Sequence, residues 1–184
     1  MGLELKSLIK TQEDVNKVSD LLYEAFPEVE RLPLGLLFDK ANLDGVDFLA
    51  IYDENDFIGF TYVITRKNLT YVQYLAIDSH SRSKGYGSLI LSRIKEKYYD
   101  NQLTLNIEAL DTSAANYEQR VNRKNFYLRN GYESSGLLFK DRWGMYEVMV
   151  NEEGEVNQEE FSDLIRWFTG NSLFLYLEIQ IQLA

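Results

Sequence analysis

The sequence predicts an α+β fold in which helices flank a mostly antiparallel sheet that contains one parallel pair of strands. Three observations lead to this prediction. Residues 47–64 alternate in a strand-like way around a short polar turn, as in an antiparallel meander. Residues 71–109 run from an apolar strand through a glycine loop and an amphipathic helix to a second apolar strand, which is the order of a parallel crossover. Residues 132–150 have the pattern of a closing hairpin.

The first 40 residues predict one strand and two helical regions. Leu5–Ile9 has the pattern of a first strand. Thr11 and Asp14 have the spacing of a capping box, which predicts a helix that starts there and stops at Pro27. The apolar face of this helix would consist of Val15, Val18, Leu22 and Ala25. A second, shorter helical region is predicted at Leu34–Phe38.

The meander consists of three predicted strands. Phe48–Tyr52 and Phe57–Ile64 are separated by polar residues, and Lys67–Asn68 turns the chain into the strand Tyr71–Ile77. An amphipathic helix is predicted to follow, beginning near Ser88.

The loop Arg82–Gly87 joins the third strand to that helix. Its two glycines let the backbone curl tightly around a ligand, and the helix start adds unpaired N–H groups and the positive end of a dipole. The predicted crossover to the strand Leu103–Ala109 places the loop at the carboxyl end of its strand, where ligands of α/β sheets bind. We therefore predict a phosphate site, and a turn without a ligand is the alternative.

A helix, a hairpin and a tail complete the predicted chain. The helix Tyr117–Leu128 would end at Asn130–Gly131, where glycine suits the left-handed position after the last turn. Two strands are predicted at Tyr132–Phe139 and Trp143–Val150.

The tail holds a predicted helix and a predicted strand. The helix begins at Asn157 and stops at Gly170–Asn171, and the alternation in Leu175–Leu183 predicts a half-buried strand. An exposed strand of this kind would aggregate, so it should be covered by its own sheet or by a second copy in a homodimer. We expect a main domain at residues 1–154 and a C-terminal extension at 155–184.

Composition excludes several classes of function. The chain has no cysteine, and its only histidine, His80, lies in a polar loop, so thiolate and multi-histidine metal sites are excluded and no metal is expected. A net charge of −10 argues against nucleic acid as the main partner and is compatible with a cationic substrate. No stretch resembles a membrane span or a secretion signal, so we expect a cytoplasmic protein without a membrane partner. A basic island nevertheless surrounds the glycine loop: Arg82, Lys84, Arg93, Lys95 and Lys97.

Two motifs in order carry a family resemblance. Arg82–Gly87 has the spacing Arg/Gln-x-x-Gly-x-Gly/Ala, and Arg123–Tyr132 is a helix that carries a tyrosine and closes with Gly-Tyr. Together they resemble the GCN5-related N-acetyltransferase (GNAT) family, across residues 3–150. The resemblance implies the acyl-CoA N-acyltransferase fold, with acetyl-CoA as the co-substrate.

The resemblance also assigns roles to residues. The pantetheine arm would lie along the backbones of Leu75, Ala76 and Ile77. The pyrophosphate and helix-start residues would be Arg82, Ser83, Lys84, Gly85, Tyr86, Gly87 and Ser88. Tyr127 would stabilise or protonate the departing thiolate, and a core aromatic is the alternative reading.

The candidate general base is Glu108, acting through water, and a salt bridge to Arg120 or Arg123 is the alternative. Many relatives have an asparagine where this chain has Arg120, so Asn116 or Asn122 would have to substitute. Arg123 and Lys124 are candidate partners of the 3′-phosphate.

Three functions are consistent with these motifs. The first is transfer of an acetyl group from acetyl-CoA directly to a primary amine of a small molecule or peptide. The second is a catalytically idle acyl-CoA-binding sensor or scaffold, which would need neither Tyr127 nor Glu108. The third, a binding protein for another nucleotide, rests on the glycine loop alone.

Overall fold

A computed structural model describes residues 2–8, 12–152 and 154–184. Its strands form one mostly antiparallel eight-stranded sheet with one parallel pair, so the predicted fold class is confirmed. The strand order is β1-β2-β3-β4-β5-β7-β6-β8. The elements are β1 Leu3–Ser7, α1 Gln12–Ala25, α2 Leu34–Lys40, β2 Val46–Asp53, β3 Asp56–Arg66, β4 Leu69–Ile77, α3 Tyr86–Lys97, β5 Gln102–Glu108, α4 Tyr117–Arg129, β6 Tyr132–Lys140, β7 Met145–Asn151, α5 Gln158–Tyr176 and β8 Gln180–Leu183.

The chain divides into two compact units, which are described separately below. The first unit contains the chain up to Ile64 together with Val72–Tyr99, and the second contains Thr65–Tyr71 together with Asp100–Ala184.

The first unit is built on antiparallel pairing of β1 with β2 and of β2 with β3. Its core is aromatic because Phe60 and Tyr62 are fully buried and the ring of Phe48 contacts both of them edge-on. Such pairs stabilise a core beyond the apolar area that they bury. The hydroxyl of Tyr62 also donates to the carbonyl of Leu37 in α2, at 2.9 Å, which ties that short helix to the sheet.

The predicted helices of this unit are present. Val18 and Leu22 of α1 are buried, as its periodicity predicts. The first strand begins two residues earlier than predicted and ends at Ser7, whereas Ile9 and the predicted cap Thr11 lie outside the described residues.

The second unit pairs β5, β7, β6 and β8 in antiparallel order. The prediction that β7 begins at Trp143 is wrong, because the strand starts at Met145. Asp141 accepts hydrogen bonds from the backbone N–H groups of Trp143 and Gly144, at 2.9 and 2.8 Å, and so holds both residues in the hairpin turn.

The tail differs from its prediction. The first helical segment of α5 ends at Gly170 as predicted, because Gly170 is non-helical with φ 74° and ψ 162°, but a second helical segment follows and runs to Tyr176. The prediction of a strand over Leu175–Leu183 is therefore wrong in its first half. Buried Phe174 anchors the resumed turn, and the guanidinium of Arg166 lies 4.1 Å from the centre of its ring.

The last strand, β8, pairs with β6 in its own chain. Ile179 and Ile181 are buried, in keeping with the predicted alternation, whereas Leu183 is 73% exposed. A homodimer through this strand stays a prediction.

Candidate functional site

The glycine loop leads into a helix that no side chain caps. β4 ends at Ile77, a short 3₁₀ turn follows, and α3 begins at Tyr86 with Gly85 in the N-cap position at φ 84°. The prediction that this helix starts near Ser88 is thus wrong by two residues. The first-turn N–H groups of a helix have no intrahelical acceptors, and a glycine cap offers them none. A side-chain carbon placed at Gly85 would meet no atom within 4 Å, so this cradle is open.

The backbone of the loop is bent in two places. Ser83 has φ 62°, a left-handed conformation that is uncommon outside glycine, and Gly85 is left-handed as well. Successive N–H groups in such alternating conformations form concave nests that bind anions. The loop therefore has the shape and the donors that a phosphate group requires.

Arg82 braces the loop with its side chain. Its Nε donates to the carbonyl of Ile77 at 2.9 Å, and its Nη2 pairs with Glu24 of α1 at 3.0 Å. Its guanidinium already has two partners in the protein. Lys84 is therefore the side chain of this loop whose positive charge is available to attract an anion. Lys84 is exposed, and it forms no ion pair within the described ranges.

Other side chains near the loop also have partners within the protein. The hydroxyl of Tyr86 donates to Asp53 at 2.7 Å, and this hydrogen bond is the main cause of the raised pKa of Tyr86. His80 lies in the exposed turn before the loop, with its ring nitrogen 3.1 Å from the carboxylate of Asp78. The backbone amides and the side chain of Lys84 are therefore the groups of this loop that remain available to a ligand.

The end of β4 lies very close to β3. A side-chain carbon at Gly59 would lie 2.1 Å from the carbonyl oxygen of Ala76, so only glycine fits there. The N–H of Asp78 donates to Ile58, at 2.8 Å, and fixes the same approach. Gly59 thus sets the position of Leu75–Ile77, and it was missed by the sequence analysis, although a glycine inside a strand pattern is a known signal of such contacts.

Tyr74 holds the segment between α1 and α2 against β4. Its hydroxyl accepts from the N–H of Leu32 at 2.9 Å and donates to the carbonyl of Glu30 at 2.8 Å. Burial raises the pKa of Tyr74 to about 12, so the hydroxyl keeps its proton at neutral pH. No local sequence signal marks a contact across more than 40 residues.

In the second unit, Tyr127 lies on α4 with a partly buried side chain. Its ring contacts those of Phe126 and Tyr132, with centroids 5.2 and 5.8 Å away. Its hydroxyl has no hydrogen-bond partner among the described residues. Burial raises the pKa of Tyr127, with a smaller opposing effect from Arg123. The phenol therefore stays protonated and available as a hydrogen-bond donor.

Glu108, at the end of β5, has both carboxylate oxygens paired. Oε1 accepts from Asn116 at 3.0 Å and lies 3.4 Å from a nitrogen of Arg120, while Oε2 accepts from Arg123 at 2.5 Å. Arg120 also donates to Asn116 and to the carbonyl of Ala109. The ion pair that the sequence analysis named as the alternative is therefore present. The prediction that Glu108 is the general base stays a prediction.

The other candidate phosphate partner on α4 also has an acidic neighbour. Lys124 lies 2.9 and 2.7 Å from the two carboxylate oxygens of Glu147 on β7. A phosphate at Lys124 or Arg123 would compete with a carboxylate, which reduces the attraction that either cation offers.

The described residues contain no cluster of three or more histidine, cysteine, aspartate or glutamate side chains that could hold a metal ion. In the same ranges, none of the helices is both long and apolar enough to cross a membrane.

Comparison with known proteins gives one family and many similar structures. Residues 44–134 match the acetyltransferase (GNAT) domain model. An acetyltransferase of the GNAT family from Bacteroides thetaiotaomicron is 25% identical, with a TM-score of 0.68 over 89% of this chain and 94% of that one. No curated protein matches the chain in sequence.

Two further structures share the fold at lower identity. An aminoglycoside 6′-N-acetyltransferase complexed with coenzyme A is 16% identical, with a TM-score of 0.63 over 84% of this chain and 99% of that one. A variant of the spermidine N-acetyltransferase of Vibrio cholerae is 15% identical, with a TM-score of 0.62 over 81% of this chain and 92% of that one.

Proposed function

Because residues 44–134 form an acetyltransferase domain of the GNAT family, we propose that this protein transfers the acetyl group of acetyl-CoA directly to a primary amine. The observation that carries the proposal is the open start of α3, where an uncapped set of N–H groups follows the strand β4. An anion is stabilised at such a helix terminus by hydrogen bonds and by the helix dipole together.

The residues present fit the co-substrate. The backbone amides of the loop from Ser83 to Ser88 would hold the pyrophosphate, with Lys84 adding charge, while Arg82 would keep the loop in place. The backbones of Leu75, Ala76 and Ile77 would hold the pantetheine arm, at the position that Gly59 sets. Bound acetyl-CoA supplies the acetyl group as a reactive thioester.

Tyr127 would stabilise the departing sulfur. As the amine nitrogen bonds to the acetyl carbon, the carbon–sulfur bond breaks and negative charge develops on sulfur. The phenol donates a hydrogen bond to that charge and can pass on its proton to form the thiol. Because burial raises the pKa of Tyr127, the hydrogen bond matters at least as much as complete proton transfer.

The acceptor must lose a proton before it attacks, because an alkyl ammonium has a pKa of about 10.4. We propose a cationic acceptor, which the net charge of −10 would concentrate near the protein. Acceptors that carry amines occur among proteins of this fold, with aminoglycoside and spermidine in the names of two of them.

Donor binding provides the direct test of the proposal. We expect isothermal calorimetry to show one site for acetyl-CoA and for coenzyme A, and ATP not to displace either. A panel of amines should then release free thiol, with the protein-free mixture as the control. Absence of binding would overturn the proposal, whereas binding without thiol release from any amine would favour an idle acyl-CoA-binding module.

A second experiment separates the two roles of Glu108. We expect Glu108→Gln to lower the free energy of unfolding by about 1–3 kcal/mol, because the guanidiniums of Arg120 and Arg123 lose a charged partner. Urea denaturation measures this loss, and the exposed Glu133→Gln serves as the control. The alternative result is unchanged stability together with a loss of the decrease in kcat/KM that the unmodified protein shows at low pH. That result would identify Glu108 as the general base.

A further inference from the structure

One buried hydroxyl in the second unit has no partner. Tyr132 is only 4% exposed, and its Oη forms no hydrogen bond with any described residue. Buried polar groups are almost always paired, since an unpaired one loses its bonds to water and gains none in return. Tyr132 is therefore an exception that needs a physical reason.

The position of Tyr132 suggests the reason. Its ring packs edge-on against that of Tyr127, with centroids 5.8 Å apart and an angle of 75° between the planes. The hydroxyl of Tyr127 is also unpartnered among the described residues. Two neighbouring phenols thus each keep an unused donor.

The backbone holds this pair firmly. The chain reverses between α4 and β6 at Gly131, whose φ of 75° permits the turn, and the N–H of Asn130 donates to the carbonyl of Tyr127 at 3.0 Å. The N–H of Glu152 then donates to the carbonyl of Gly131 at 2.8 Å, which anchors the first residues of β6. The backbones of Tyr127 and Tyr132 are therefore held close together, which leaves side-chain rotation as the movement that would bring the two hydroxyls into contact.

We propose that Tyr132 is a positioning residue whose hydroxyl donates a hydrogen bond to the oxygen of Tyr127 during acetyl transfer. This inference rests on the proposed function, since it requires Tyr127 to act on the departing sulfur. As the proton of Tyr127 moves to sulfur, negative charge forms on its phenol oxygen, and the Tyr132 hydroxyl stabilises that charge. The phenol regains a proton from solvent afterwards, so Tyr132 itself loses none.

A second hydrogen-bond donor would make Tyr127 a better proton donor. Burial disfavours the phenolate form of Tyr127, so a single isolated phenol would be a poor proton donor here. Hydrogen bonds in a chain polarise and strengthen one another, and a donor behind Tyr127 offsets part of the cost of burial.

The test uses Tyr132→Phe in the full-length protein. This change keeps the ring against Tyr127 and removes only the hydroxyl, so we expect an unchanged or raised Tm. We also expect kcat to fall about tenfold, the rate equivalent of one net hydrogen bond, with the Kd of coenzyme A unchanged. In the Tyr127→Phe background the same change should have no further effect on kcat.

The matched control is Tyr62→Phe, which removes a buried hydroxyl that donates to Leu37 and should therefore lower Tm. A Tyr132→Phe protein with a Tm as low as this control would overturn the inference, even where no acceptor gives turnover. So would an unchanged kcat, or an additive effect with Tyr127→Phe. Lack of turnover by the unmodified protein would instead count against the proposed function.

Discussion

Replacing Gly59 with alanine is expected to destabilise the protein strongly and to abolish binding of coenzyme A. The new side-chain carbon would lie 2.1 Å from the carbonyl oxygen of Ala76 and 3.1 Å from the Cα of Ile77, both backbone atoms that cannot rotate away. The free energy of unfolding should fall by about 3 kcal/mol or more, as for severe overpacking. Urea denaturation and calorimetry with coenzyme A measure the two effects.

The control for this variant is Gly35→Ala, which makes the same chemical change in α2. No atom lies within 4 Å of the added carbon there, and alanine favours a helix by up to about 1 kcal/mol. Gly35→Ala should therefore keep full stability and full donor binding. Normal donor binding by Gly59→Ala would show that the close approach of β3 to β4 does not position the pantetheine site.

Replacing Tyr127 with phenylalanine is expected to lower kcat by roughly 100-fold or more, the usual contribution of a positioned acid. The ring contacts with Phe126 and Tyr132 persist, so stability should change little. Since the hydroxyl stabilises charge that exists only as the carbon–sulfur bond breaks, the Kd of coenzyme A should stay within about twofold of its original value. Thiol release under saturating donor and calorimetry measure these quantities.

A matched variant for Tyr127 is Tyr117→Phe, at the start of the same helix, which should keep full turnover. Equal kcat in Tyr127→Phe and the unmodified protein would remove Tyr127 from the chemistry. A parallel loss of kcat and of coenzyme A binding would mean that the phenol holds the donor in its ground state.

The order of elements could be predicted because each depends on a local pattern. The alternation in Phe57–Ile64 and the left-handed glycine at Gly131 are local signals, and the structure contains both features. The start of α3 was placed two residues late for a physical reason. Sequence rules look for a polar cap, and Ser88 is near the first turn, but the N-cap here is Gly85, which has no side chain to signal it.

The features that could not be predicted depend on contacts between distant residues. The close approach of Gly59 to the carbonyl of Ala76 depends on how near β3 lies to β4, which no local pattern indicates. The hydroxyl of Tyr74 likewise forms hydrogen bonds with residues 42 and 44 positions away. The sequence likewise cannot predict that the buried hydroxyl of Tyr132 has no hydrogen-bond partner among the described residues.

The alternation of the tail was misleading in a different way. Residues 175–183 satisfy a strand period, yet the chain is helical to Tyr176, and Phe174 in that helical segment is buried. A short apolar run fits both periods, and its tertiary contacts decide between them.

The hydroxyl of Tyr74 has a consequence for protein engineering. It binds the carbonyl of Glu30 and the N–H of Leu32, both main-chain groups, so it excludes proline at position 32 and imposes no other requirement on the identity of these two residues. Libraries that randomise residues 28–32 should therefore retain the path of this connection, provided that Tyr74 is kept and proline is left out at position 32. The arrangement separates diversification of a surface turn from the integrity of the strand beneath it.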